Sequence, residues 1–251
     1  MARRRKSPVA SDDIDPQMCD IHLRLSILKQ VPFFAQLPPD EIAMINEHFR
    51  EFGYVADETI YFSGDEATHL YVVASGQIKL LRHSLKGQNV LVDILSSGEF
   101  FGTLSTSEGD TFADTAQAQT SACVLSIASQ DFRSLLTRYP SVALSVLDIT
   151  SKRLAEAHEM LRQLSAHSVE QRIAYILLKL VDKLGEKRDV GLLIQMPLTR
   201  DDIARMSGTS TESTSRIMSQ FQKDGLIQSG RQWVAIVNQE QLQQIADAEN
   251  Q

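Results

Sequence analysis

Glu212, Ser215 and Arg216 stand at i, i+3 and i+4 in the C-terminal third of the chain, so a helix over this segment projects all three from one face. Their chemistry is complementary. A carboxylate accepts hydrogen bonds, a guanidinium donates them in a planar fork, and a hydroxyl does both. An element that reads base edges in the major groove of DNA needs such a face. A solvated helix face could carry the same three residues, so the frame around them has to decide.

The frame is TRDDIARMSGTSTESTSRIMSQFQKDGLI, followed by QSGRQWVAIV. Thr199 can cap a first helix, with Asp202 at the reciprocal position of a capping box. Asp201 and Asp202 suit the positive end of the helix dipole. Ile203 and Ala204 supply the buried face, and Ala204 is small enough for a second helix to cross closely. Gly208 supplies the positive φ of the sharp turn. The second helix resumes near Ser210 or Thr211, with Ile217, Phe221 and Thr214 expected to face inward. Gly225 ends it. A strand from Leu226, a turn at Gly230 and a return strand from Trp233 complete a hairpin wing. This is a winged helix-turn-helix, with Thr199, Thr209, Ser210 and Thr211 joining Glu212, Ser215 and Arg216 as candidate DNA-binding residues.

At 251 residues the chain has room for two modest domains, each with its own core. No run approaches the roughly 20 apolar residues of a membrane helix. The opening MARRRKSPVASDDIDPQ lacks the apolar stretch of a secretory signal, so Arg3, Arg4, Arg5 and Lys6 read as part of a flexible tail. Cys19 and Cys123 are too few for a disulfide framework or a four-cysteine cluster, which points to a reducing cytoplasm. A net charge of −7 disfavours sequence-blind nucleic-acid binding but leaves room for a local basic face.

The elements that must position the reader come earlier. Residues 22–50 read as helices, a new one opening at Pro38-Pro39-Asp40-Glu41. Between Thr59 and Ile127 the apolar period falls to two. Short strands over 59–62, 69–74, 77–83, 89–95, 116–118 and 122–127 are punctuated by Gly64, Gly76, Gly87, Gly98 and Gly102. That pattern predicts a small β-barrel or jelly roll. Then Leu147, Thr150, Leu154, Ala157, Leu161 and Leu164 alternate steps of three and four, a heptad seam suited to pairing with a second copy. The same seam could instead pack on its own barrel. A hinge follows over 165–168, then a helix over 169–184, a charged turn over 185–191 and a short strand over 192–194.

Barrel, long helix and winged helix-turn-helix in this order resemble the cyclic-AMP receptor protein/fumarate-nitrate regulator superfamily of transcription factors. The resemblance spans about residues 25 to 237. It is carried by HLYVVASGQIKL from His69, by SGEFFG from Ser97, and by Glu212-Ser213-Thr214-Ser215-Arg216, the E-x-x-S-R pattern of the fumarate-nitrate branch. It implies an α+β chain. Residues 1–20 would be a flexible tail and 21–138 a cyclic-nucleotide-binding-like sensor barrel of jelly-roll form. Residues 139–165 would be a dimerisation helix and 166–251 the winged helix-turn-helix. It further implies a cytoplasmic homodimer that binds a palindromic operator in double-stranded DNA and works with RNA polymerase, with no membrane contact and no enzymatic activity. Arg216 would donate to guanine O6 and N7, Glu212 would accept from cytosine N4, and Ser215 would touch the next A·T pair. A TTGAT-like half-site, read as an inverted repeat, follows.

The family's effector pocket maps onto Gly98, Glu99, Phe100, Phe101, Gly102, Thr103, Leu104, Ala113 and Asp114. Here the chain departs from the cyclic-AMP pattern. Thr103 stands where the family has an acid for the ribose, and no arginine stands in the segment TFADTAQAQ from Thr111. No Lys, Arg or His occurs anywhere from Gly87 to Phe132, while Asp93, Glu99, Glu108, Asp110 and Asp114 do. A buried cyclic phosphate would lose its hydration without a charge-assisted bond in return. No cyclic-AMP binding is therefore expected, and a four-cysteine iron–sulfur cluster fails on cysteine count. Cys123 reads as a small hydrophobe in a strand, Cys19 as a candidate redox thiol. His22, His48, His69, His83, His158 and His167 form no ligand pair by spacing, though some family members with apolar barrels bind haem. A haem- or redox-dependent sensor of the same fold stays open, as do a regulator set by its own abundance and one that answers to a small unidentified effector. A regulatory barrel without DNA binding would lack the segment 199–237. For an enzyme, no nucleophile-base order, metal spacing or phosphate loop is present.

Overall fold

The computed structural model describes residues 8–9, 21–83, 89–103 and 109–248. Cys19, Leu104 and the basic N-terminal cluster lie outside the described residues. The chain divides into two compact units, one over Asp13–Ala155 and one whose main part is Glu156–Gln251.

The first unit opens with α1 (Ile21–Gln30) and α2 (Pro39–Asn46), then β1 (Arg50–Tyr54), β2 (Thr59–Tyr61), β3 (His69–Ser75), β4 (Ile78–His83), β5 (Asn89–Leu95), β6 (Phe100–Gly102), β7 (Thr115–Ala118) and β8 (Ala122–Ala128). The strands form two four-stranded antiparallel sheets, ordered β1-β8-β3-β6 and β2-β7-β4-β5. α3 (Ser129–Arg138) follows, and then α4 (Pro140–Ala166), one 27-residue helix to which both units contribute.

β8 shows how two cores arise from one strand. Its residues ACVLSI are all buried, which a strand needs only when both faces are covered. Because successive side chains point to opposite faces, Ala122 and Val124 join the barrel interior with Tyr61, Val73, Phe101 and Phe112. Cys123, Leu125 and Ile127 join the helix-side core with Ile27, Leu28, Phe34 and Phe132. Phe33 knits that second core through edge-on contacts to Phe34, Phe100 and Phe132, with centroids 4.6, 5.1 and 5.7 Å away.

The second unit holds α5 (Val169–Leu184), β9 (Gly185–Arg188), β10 (Gly191–Ile194), α6 (Arg200–Ser207), α7 (Thr211–Lys223), β11 (Ile227–Gly230), β12 (Trp233–Ile236) and α8 (Gln239–Asp247). Its sheet runs β11-β12-β10-β9. Ile173, Leu177, Ile194, Ile203, Met218, Phe221 and Val234 are all fully buried. The hinge expected over 165–168 is narrower in the structure. α4 runs to Ala166, and Ser168 already caps α5 in a capping box with Gln171.

Three expectations need correction. The helical reading of 22–50 overran: Arg50–Tyr54 is a strand, largely exposed and so without an apolar period. The charged turn over 185–191 contains β9, an edge strand exposed along its whole length, held by backbone pairing to β10. The inward residue expected at Ile217 is Met218, because Thr214, Met218 and Phe221 form the buried row and Ile217 lies beside it.

Candidate nucleic-acid interface and sensor pocket

The helix pair is closed locally at every end. Thr199 Oγ1 accepts from the Asp202 amide at 3.0 Å, and Asp202 Oδ2 accepts from the Thr199 amide at 2.9 Å, which completes the capping box. Gly208 takes φ 62°, ψ 41° as the left-handed cap of α6. Ser210 caps α7, its hydroxyl accepting from the Ser213 amide at 3.1 Å. Thr211 Oγ1 donates to Asp201 Oδ1 at 3.1 Å and ties the start of α7 to the first turn of α6. Thr209 sits in the turn, its amide donating to Ala204 O at 3.1 Å.

These bonds fix α7, whose outward row is Glu212, Ser215 and Arg216. Glu212 and Arg216 are exposed and Ser215 is half-buried. Acid and guanidinium stand one turn apart, yet neither is recorded in an ion pair or side-chain hydrogen bond among the described residues, so both remain available to a ligand. Sequence reasoning missed one support. Arg200 Nη2 donates to Ser229 Oγ at 2.8 Å, and Ser229 Oγ donates to Gln222 Oε1 at 3.0 Å, linking α6, the wing and α7. Burial pushes the Arg200 guanidinium below its ordinary value. Its only signal in sequence was a cation just inside a helix start, opposite to dipole preference.

The seam residues lie outward on α4. Leu147, Leu154 and Leu161 are 61%, 57% and 62% exposed, Leu164 is 41% exposed, and Thr150 and Ala157 are also exposed. Leu144, 64% exposed and three residues before Leu147, extends the row by one position. Val142 and Val146 instead face the helix-side core.

The described sensor pocket residues face in different directions. Phe100 and Phe101 are neighbours on β6, so they enter different cores. Inside the barrel, Tyr61 stacks on Phe112 at 3.8 Å and 17°, and Tyr71 stacks on Phe101 at 5.2 Å. Burial, then the Asp114 carboxylate, pushes the Tyr61 phenol up; burial also pushes Tyr71 up to about 12. Gly102 has φ +97°, and a Cβ there would lie 3.0 Å from the His69 carbonyl oxygen and 3.5 Å from Phe112. Glu99 turns onto its own loop, Oε2 accepting from the Ser96 amide at 2.8 Å. Thr103 is half-buried and Ala113 exposed. Cations enter from outside the window read in sequence. Arg82 of β4 meets Asp114 at 2.5 Å, and Arg153 of α4 donates to Phe100 O at 2.7 Å with its guanidinium 4.1 Å over the Phe100 ring. Both arginines are thus engaged by protein groups. Of the histidines, His69 Nδ1 lies 2.8 Å from Thr68 Oγ1 and His167 Nε2 lies 2.8 Å from Arg162 Nη1. No group of three or more His, Cys, Asp or Glu suited to a metal occurs among the described residues.

Comparison with known proteins agrees with this division. Residues 51–139 match the cyclic nucleotide-binding domain, and residues 171–245 match the Crp-like helix-turn-helix domain. The Cyclic AMP receptor protein of Thermus thermophilus is 31% identical over 219 residues, covering 87% of this chain and 98% of the relative. The chain belongs to the cyclic-AMP receptor protein/fumarate-nitrate regulator family. Within this family, the Fumarate and nitrate reduction regulatory protein of Vibrio cholerae is 23% identical over 91% of each chain. The fold is also that of FixK2 from Bradyrhizobium japonicum, with a TM-score of 0.72 at 22% identity over 80% of this chain and 99% of that one. Membership makes the chain a DNA-binding transcriptional regulator of this type, with the α6–α7 pair as its helix-turn-helix. No helix among the described residues is long and apolar enough to cross a membrane.

Proposed function

We propose that the chain regulates transcription as a two-fold homodimer that reads an inverted repeat of TTGAT-like half-sites, without cyclic AMP as its signal. The observation that carries the reading is the unengaged pair Glu212 and Arg216 on a helix capped at its start and bound to its neighbour. A base-reading side chain must be held in place by its backbone while its polar atoms stay free, and this arrangement meets both needs. Arg216 takes guanine, Glu212 takes cytosine and Ser215 the adjacent A·T pair, with Thr199, Thr209, Ser210 and Thr211 at the flanks. Two copies joined along Leu147, Leu154, Leu161 and Leu164 would present two α7 helices to successive major grooves, and the bound dimer would act on RNA polymerase.

Fluorescence anisotropy with an inverted-repeat TTGAT duplex and a scrambled one, at fixed salt, tests the reading. Tighter binding to the repeat is expected, and equal binding sinks it. Leu154→Glu combined with Leu161→Glu should give a monomer by sedimentation that no longer holds the operator; an intact dimer would refute the seam.

Absence of a cyclic-AMP response is supported by the aromatic fill of the barrel and by the engagement of Arg82 with Asp114. Calorimetry should show no heat of binding at micromolar cyclic AMP; a micromolar affinity would overturn this part of the reading.

A further inference from the structure

The wing ends in a loop of two residues, Arg231 and Gln232, between Gly230 of β11 and Trp233 of β12, which pair across it. Gln232 holds φ 63°, a left-handed conformation that a side chain keeps only where its surroundings enforce it. They do so here. Gln232 O accepts from the Leu198 amide at 3.0 Å, and the Trp233 indole packs so closely on Gly230 that a Cβ there would lie 2.1 Å from Nε1. Leu198 precedes Thr199, the cap of α6, and Thr211 Oγ1 at the start of α7 donates to Asp201 in the first turn of α6. The wing tip, the start of α6 and the start of α7 are thereby joined on one side of this unit. Arg231 and Gln232 are both exposed, and no ion pair or side-chain hydrogen bond engages either side chain among the described residues. We propose that Arg231, aided by Gln232, enters the minor groove flanking each half-site and gives the regulator a preference for A·T-rich flanks.

Three arginines of the same unit are engaged by protein groups. Arg205 meets Asp201 at 2.7 Å, Arg188 meets Glu186 at 2.6 Å, and Arg200 donates to Ser229. Arg231 keeps its guanidinium for a ligand and stands on a tip held from two sides. A phosphate contact would need only a positive charge there. The tip instead sets an arginine beside a glutamine, both of them side-chain types that read minor-groove acceptors. A groove about 6 Å wide admits the side chains of a two-residue loop while the strands behind them stay outside. With α7 in a major groove, the wing beside it reaches the neighbouring minor groove. A·T-rich flanks narrow that groove and deepen its negative potential, which favours an inserted guanidinium, whereas the guanine N2 amine obstructs it. The inference rests on the reading of α7 as the base-reading helix and adds specificity outside the TTGAT-like core.

The full-length chain is titrated by fluorescence anisotropy, at fixed salt, with duplexes that share one inverted-repeat TTGAT core and differ only in their flanks. The flanks are A·T, G·C or inosine·cytosine pairs. Inosine keeps the major-groove acceptors of guanine but lacks its N2 amine, so it presents the minor groove of an A·T pair. The wild type should bind A·T and inosine·cytosine flanks roughly tenfold more tightly than G·C flanks. Arg231→Ala should bind all three alike, at the level of the G·C flanks, and should still prefer the repeat to a scrambled core. Arg216→Ala should do the opposite, losing core discrimination and keeping the flank preference. Four results would overturn the inference. They are a wild type indifferent to its flanks, inosine·cytosine flanks that behave as G·C, a flank preference that survives Arg231→Ala and so belongs to DNA bending, and an equal loss on all flanks in Arg231→Ala, which marks a phosphate contact. If the repeat is preferred without any flank effect, the wing inference alone falls; if the wild type binds repeat and scrambled cores equally, the reading of α7 falls too.

Discussion

The outward row of α7 and the barrel treat their polar groups in opposite ways. In the helix pair the ends of α6 are satisfied by Thr199, Asp202 and Gly208 and the start of α7 by Ser210, while Glu212 and Arg216 project from α7 with their donors and acceptors unspent. On the barrel Arg82 is spent on Asp114 in an exposed ion pair, and Tyr61, Phe101 and Phe112 pack together in the core between the sheets. The same chain thus keeps one surface prepared for a ligand and gives the other over to packing. Family membership describes both regions equally well. The difference between them is visible only in what each side chain already touches.

The largest effect should come from the packed side. Phe112 is 4% exposed and stacks on Tyr61, so Phe112→Ala removes a ring from a filled interior and should cost about 3–5 kcal/mol in chemical denaturation of the sensor unit. A loss below about 1 kcal/mol would mean that the barrel is loosely filled and resembles a ligand cavity, which would break the contrast. On the reader side, Arg216→Ala should leave folding intact and remove about 1–3 kcal/mol of discrimination at the guanine, read as anisotropy on duplexes substituted at that base. A uniform loss across all duplexes would make Arg216 a phosphate contact instead.

What was legible in the sequence was local. The capping box at Thr199, the left-handed turn at Gly208 and the heptad spacing on α4 each rest on residues within a turn or two of one another, and short-range rules reach that far. The regions misread were those where distant partners decide. β1 and β9 have no apolar period because they are exposed, and they are strands only through pairing with β8 and β10. The helices α3 and α8 and strand β6 were not anticipated at all. The absence of a cation from Gly87 to Phe132 was a correct reading of one stretch, but Arg82 and Arg153 arrive from β4 and α4. Met218 replaced Ile217 because a one-residue rotation of α7 decides which apolar side chain is covered.

Thr199→Ala sharpens the comparison at smaller scale. It removes the acceptor for the Asp202 amide and should cost about 1 kcal/mol of stability in the reader unit, with the sensor unit unaffected. Equal destabilisation of both units in a two-transition melt would show that the cap serves more than α6.

The smallest effect is a matter of pH. The phenol of Tyr71 is pushed up to about 12 by burial, then by Tyr54 and Asp65, and that of Tyr61 is pushed up further in direction by burial and Asp114. A group whose folded value exceeds its unfolded value of 10 favours the folded state fully below pH 10. That contribution is lost as the pH rises from 10 through about 12, so the sensor unit should loosen across this window. Phenolate absorbance should show Tyr61 and Tyr71 ionising last among the five tyrosines, and Tyr71→Phe should remove part of that late step. If the late step survives Tyr71→Phe unchanged, the rings are wetter than a filled interior allows, and the barrel would have to be reconsidered as a site with room for a ligand.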